Sequence, residues 1–227
     1  SPGVEPCAVC SSHEAGKLNA EEKGMKLYSL KNGVNPRRVR IFLAEKRVSL
    51  PIEEFDMETA GHKAEAFLAK NPLGTLPMLE LDDGTLIAES VAICRYFEET
   101  IPEPPLFGRS TIERAQVEMW NRRMELELLL PTIDVFVHTH PFWVGKRTQV
   151  APWGEQRRAQ LVARMRWLDG ELEGREFIGV DRYSIADITA QVALLTARGA
   201  LKLPIPEDHH NLMRWWNAVS ARPSARA

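Results

Sequence analysis

The sequence predicts a small α/β domain followed by an all-α domain. Three observations predict it. Residues 26–101 alternate strand-like and helix-like stretches and include one hairpin signal. Residues 101–108 are proline-dense and break every periodicity. Beyond them, each sizeable segment carries apolar residues at helical spacing. The expected organisation is an extension over residues 1–24, the α/β domain over 25–102, a linker over 103–109 and the helical domain over 110–227.

Residues 26–30 alternate polar and apolar side chains, which reads as a strand. After the loop around Gly33, Asn35-Pro36 signals a helix start. Asn is a favoured N-cap, and Pro suits a position whose N–H would be unpaired. Val39, Phe42 and Leu43 then mark one apolar face, with Arg37, Arg38, Arg40, Glu45 and Lys46 expected mostly in water. Residues 51–55 read as a second strand and 62–70 as a short helix ended by Asn71-Pro72-Leu73-Gly74. Residues 76–81 and 85–87 flank Asp82-Asp83-Gly84, a hairpin signal. Ser90 is expected to cap the next helix, whose Ile93, Cys94, Phe97 and Ile101 share a face. The order β-α-β-α-β-β-α implies a mixed sheet with helices packed on it. In the second half Val117, Trp120, Met124 and Leu128 form one stripe. Leu161, Met165, Leu168 and Leu172 form another, and Ile185, Ile188, Val192 and Leu195 a third. Residues 211–221 give a last short helix.

Composition removes several function classes. The 227 residues carry 29 basic and 31 acidic side chains, so the net charge is 29 − 31 = −2. That gives no electrostatic footprint for nucleic acid or an anionic membrane. No apolar run approaches the roughly 18 residues that span a bilayer. Three cysteines suggest a reducing compartment and a cytoplasmic protein. Cys7 and Cys10 form a CxxC without a second ligand pair, read as incidental within a flexible extension, with Met25 as the start of the folded chain. His138-Thr139-His140 and His209-His210 lack further partners, so no metal is expected. The pairs Arg37-Arg38, Arg122-Arg123 and Arg157-Arg158 read as solvated faces balanced by acids.

Residues 25–227 resemble the cytosolic glutathione S-transferase superfamily, in particular its theta- and nu-like bacterial members. The segment Asn71-Pro72-Leu73-Gly74-Thr75-Leu76-Pro77, the pair Glu89-Ser90, the run Ser184-Ile185-Ala186-Asp187 and Arg222-Pro223 carry the resemblance by their order and spacing. The resemblance implies a thioredoxin-like amino-terminal domain that binds glutathione as co-substrate. It also implies a cis bond between Leu76 and Pro77, which only X-Pro bonds reach cheaply. The Leu76 backbone would then pair with the tripeptide as an added strand does. Taken alone, Pro77 would read as the first residue of an edge strand.

Further site residues follow from the same resemblance. Ser90, at a helix N-terminus, would meet the γ-glutamyl carboxylate and Glu89 its amino group. His62 would stand near the glycine carboxylate, or else simply begin a helix. Ser-type members place a hydroxyl where this chain has Gly33, which has no donor. Asn35 matches an asparagine that nu-like members use near sulfur, and is the expected catalytic residue. Its amide can donate to a thiolate while the helix dipole assists. Ser29 is the fallback donor, and Tyr28 does not match the family's tyrosine.

The electrophile is expected between the domains, against Trp120, Arg123 and His138, with Phe136, His140 and Trp143 as further candidates. An aromatic at helical spacing also reads as core. The resemblance implies a homodimer, a small electrophilic substrate and a role in detoxification. Two other readings stay open: a nu-like glutathione-dependent disulfide reductase, and a non-catalytic binding protein of the same fold.

Overall fold

The computed structural model describes residues 24–227, so Cys7 and Cys10 lie outside it. Four strands form one sheet in the order β2-β1-β3-β4: β1 Lys26–Leu30, β2 Ile52–Phe55, β3 Met78–Glu80 and β4 Leu86–Ala88. β1 runs parallel to β2, with Leu27 opposite Ile52, and antiparallel to β3, with Leu27 opposite Leu79. The parallel pair needs a crossover, supplied by helix α1 (Val34–Lys46). The antiparallel pair β3–β4 closes through Asp83-Gly84, with Gly84 at φ 82° as a tight turn requires. A short helix α2 (Glu65–Leu68) follows a 3₁₀ turn over Gly61–Lys63, and α3 (Ser90–Thr100) closes the domain. This is the mixed-sheet, thioredoxin-like arrangement that the sequence implies.

The second domain is helical throughout: α4 (Thr111–Met124), α5 (Leu130–Thr139), α6 (Ala151–Glu171), α7 (Ile185–Gly199) and α8 (His210–Ser220). α4 passes into α5 through a π turn over Glu125–Leu129. Pro131 explains the turn: its ring lacks an N–H and cannot continue a regular ladder. Ser184 and Asp187 form the expected capping box at the start of α7. Asp187 is fully buried and also accepts from Ile178 N (2.9 Å) and Trp215 Nε1 (2.8 Å). Its carboxylate therefore ties the cap to α8.

One continuous apolar core crosses both domains, from Leu27, Val39, Phe42 and Ile93 to Val117, Met165, Ile188 and Trp215. α1 lies between the sheet and α7, and that position corrects the expectation for its polar side chains. Arg38 and Lys46 do not face water; they are 1% and 4% exposed. Lys46 Nζ pairs with Glu98 at 2.6 Å and donates to the carbonyls of Ile101 (2.7 Å) and Pro104 (2.6 Å). Glu98 in turn accepts from Phe107 N at 3.0 Å. The linker is therefore pinned to α1 and α3, with Leu106 and Phe107 buried. At the other end, Arg222 Nε donates to Glu45 at 2.9 Å, fastening the carboxy-terminal turn to α1.

Candidate active site

The amino end of α1 meets the second domain at a cleft of ≈ 290 Å³. Its first wall is the loop after β1. The N-cap of α1 is Gly33, not Asn35, and the helix begins at Val34. Pro36 thus sits third in the first turn, where a missing N–H still costs nothing. Both ends of the Asn35 amide are therefore released from capping. The side chain lines the cleft half-buried, with no hydrogen bond among the described residues. The backbone N–H groups of Val34 and Asn35 have no intrahelical acceptor, so these two donors and the Asn35 side-chain amide coincide with the positive end of a 13-residue helix.

Gly33 has a steric reason. Its φ of −74° suits any residue, but a Cβ there would stand 2.8 Å from Pro36 Cγ and 3.2 Å from Leu30 Cβ. The hydroxyl of Ser-type members cannot be built on this backbone. The fallback also fails: Ser29 is fully buried, and its Oγ accepts from Arg40 at 3.0 Å. Tyr28 is engaged by Glu80 and by Lys70 (2.8 Å).

The second wall is residues 57–76. The Leu76–Pro77 bond is cis, as the resemblance implies, and so is Glu103–Pro104. Leu76 lines the cleft, and its backbone N–H and C=O pair with nothing among the described residues. Gly74, at φ 55°, packs so closely that a Cβ would meet His62 O at 2.9 Å. Lys63 Nζ donates to Gly74 O (2.7 Å) and Leu73 O (3.0 Å), fixing this loop. His62 also lines the cleft, from the 3₁₀ turn and not from the single helix expected over 62–70. Burial, aided by Lys63, holds its pKa below the usual histidine value. Its Nδ1 is shielded and without a partner among the described residues.

Glu89 and Ser90 stand at the start of α3, outside the lining of this cleft. Glu89 is the N-cap and Ser90 the first helical residue, which corrects the expected cap. Glu89 is exposed and held at φ 68°, ψ 119°, a conformation costing about 1–3 kcal/mol that persists only where the surroundings impose it. Ser90 Oγ accepts from Arg38 Nη1 at 2.8 Å, which leaves its own hydrogen free to donate.

The third wall is α5 and the turn after it. Ile133, Phe136 and Val137, at i, i+3 and i+4, face the cleft together with Trp143 and Arg147. Trp120, Arg123 and His138 do not line it, which corrects the expected electrophile wall. Trp120 is core: it is 6% exposed, stacks on Trp167 of α6 at 5.8 Å, and carries Arg123 on its face. His138 Nδ1 accepts from Val150 N at 3.1 Å, and its Cβ faces Gly154 where α5 packs on α6. Sequence reasoning named Phe136 and Trp143 only among several candidates, and missed Ile133, Val137, Lys63 and Arg147. The signal was present in the 133/136/137 stripe beside Pro131.

Comparison with known proteins identifies the family. Residues 34–100 match the family model described as glutathione S-transferase, N-terminal domain, and residues 133–223 match the C-terminal domain. The chain belongs to the glutathione S-transferase family. It is 38% identical over 207 residues to glutathione S-transferase 2 of Saccharomyces cerevisiae, covering 89% of this chain and 88% of that one. The crystal structure of Gtt2 from the same yeast superposes with a TM-score of 0.82 at 37% identity, over 88% of this chain and 98% of that one. A Gtt2-class glutathione S-transferase of Vibrio parahaemolyticus gives 0.78 at 34% identity, over 89% and 96%. The chain is thus a glutathione transferase, with glutathione as co-substrate. Among the described residues no acidic, histidine and cysteine cluster suits a metal ion, and no helix is long and apolar enough to cross a membrane.

Proposed function

We propose that the cleft holds glutathione with its sulfur at the start of α1, where Asn35 and the free first-turn N–H groups favour the thiolate. The observation that carries this reading is the coincidence of those donors with the unpaired Leu76 backbone in one cleft. A free cysteine thiol has a pKa of about 8.5, so donors aimed at sulfur raise the reactive fraction at neutral pH. The cysteinyl unit pairs with the Leu76 backbone, turned by Pro77. The γ-glutamyl end extends past the cleft lining to the start of α3, where Ser90, oriented by Arg38, donates to its carboxylate and Glu89 meets its amino group. His62 holds the glycine end. The thiol proton leaves to solvent, and the sulfur attacks a small electrophile seated against Ile133, Phe136 and Trp143. Cys94, the only cysteine among the described residues, is fully buried with its thiol pushed up to about 12. Disulfide reduction through an enzyme mixed disulfide therefore has no candidate there.

The exposed apolar side chains Met119 of α4, Leu126 of the π turn and Leu130 of α5 support a homodimer. Calorimetry with glutathione tests the binding reading. Saturable binding with proton release near neutral pH is expected, and no binding at millimolar concentration defeats it. Parallel assays of aryl-halide conjugation and disulfide reduction then separate transferase from reductase.

A further inference from the structure

We propose that Arg147 selects electrophiles that carry an anionic group on an apolar, aromatic-sized body. This rests on the transferase reading and narrows its second substrate. The turn after α5 is an aromatic cluster: Phe136 lies edge-on to Trp143 at 5.9 Å, and Phe142 to Trp143 at 5.0 Å. Two cations sit on its faces. Arg147 Cζ is 5.0 Å from the Trp143 ring centroid, and Lys146 Nζ is 3.6 Å from that of Phe142. The turn is fixed by Arg147 N donating to Trp143 O (3.1 Å) and by Gln149 Nε2 donating to Val137 O (2.9 Å). Its cations therefore ride on a held platform.

Charge in the cleft is one-sided. The lining holds Lys63 and Arg147 and no carboxylate. Lys63 is committed to the carbonyls of Leu73 and Gly74. Arg147 has no acidic or hydrogen-bonding side-chain partner among the described residues, so its five donors remain to be used. The carboxylates Glu54 and Asp56 line, with Lys31, an adjoining depression that shares Leu30, Asn32 and Met57 with the cleft, on the side away from α5. An electrophile entering against Ile133, Phe136 and Trp143 therefore meets an apolar, aromatic wall ending in a guanidinium, which suits a carboxylate bidentately. With an activated aryl chloride, glutathione's sulfur pair forms the C–S bond. The C–Cl bond breaks with its pair on chloride, and the thiol proton goes to solvent.

The test compares a chloro-dinitrobenzoate with its methyl ester at saturating glutathione, each kcat/KM divided by its uncatalysed rate. The protein is expected to favour the acid. Arg147→Gln should lower the acid-to-ester ratio by about 1.5- to five-fold, the range for a solvent-exposed ion pair, and Arg147→Glu should lower it further. Added salt should shrink the wild-type preference. An acid-to-ester ratio at or below one, or one that Arg147→Gln leaves unchanged, overturns the inference. Calorimetry with the two S-conjugates reads the same preference without turnover. Equal affinities again overturn it, whereas loss of glutathione binding itself counts against the parent reading alone.

Discussion

Gly33→Ser restores the hydroxyl that Ser-type relatives carry, and it should fail as a gain of function. Any Cβ at this position stands 2.8 Å and 2.9 Å from Pro36 Cγ and Cδ, and 3.2 Å from Leu30 Cβ. Those atoms belong to a rigid ring and to the last residue of β1, so neither can swing aside as a flexible side-chain tip would. Overpacking of this kind costs about 1–3 kcal/mol. The unfolded chain loses entropy when Gly is replaced, which returns about 0.4–1 kcal/mol. Taking the middle of each range, the net loss is about 1.3 kcal/mol, and Tm should fall by about 3–5 °C for a chain of this length. Thermal unfolding followed by circular dichroism measures the first effect, and kcat/KM with an aryl chloride the second. Activity should fall, because the first turn of α1 must shift to admit the side chain. The double variant Gly33→Ser/Pro36→Ala should recover most of the lost Tm. A single variant as stable as wild type and more active would refute the steric argument.

Two further perturbations address the interdomain joint. Lys46→Met leaves buried Glu98 without its cation and the carbonyls of Ile101, Pro102 and Pro104 without their donor, and should cost about 3–5 kcal/mol. Urea unfolding checks this, and a change under 1 kcal/mol, roughly a surface effect, would contradict it. For Glu45, burial alone would raise the carboxyl pKa, but the bonds from Arg222 and Ser224 outweigh it and hold it below the usual 4.5. A depressed acid stabilises the fold fully above 4.5 and loses that contribution as pH falls through its lowered value. Glu45→Gln should therefore cost about 1.5 kcal/mol at pH 7, and the gap from wild type should close below pH 4.5 in acid-unfolding curves.

The strand and helix order was readable because local signals agreed with the tertiary outcome. The strand over Lys26–Leu30, the Asp83-Gly84 hairpin and the Ser184/Asp187 box each depend on residues close in sequence. Their physics is complete before the chain folds. His62 and Leu76 were singled out by their spacing about the Asn71–Pro77 segment and Asn35 by its match to nu-like members, and the fold brings the three to one cleft. The cap at Asn35 was misread because Pro is tolerated anywhere in a first turn, so it does not mark a single register.

Other features needed the third dimension. Charged residues on an amphipathic helix ordinarily face water, yet Arg38 and Lys46 are buried because α1 is covered on two sides. No pattern within α1 announces the second cover. The electrophile wall failed for a related reason. Trp120 and Phe136 both sit at helical spacing, and only the packing of α4 on α6 sends one into the core while the other opens on the cleft.

The most direct measurement is the pKa of the glutathione thiol bound to the protein, read from thiolate absorbance across pH, in wild type and in Asn35→Ala. The account predicts a bound pKa below the free value of about 8.5 in wild type. It predicts a clear rise toward that value in the variant, with tripeptide affinity retained through Leu76. A bound thiol with its free pKa in wild type, or one unmoved by Asn35→Ala, would contradict activation at the start of α1 by this side chain.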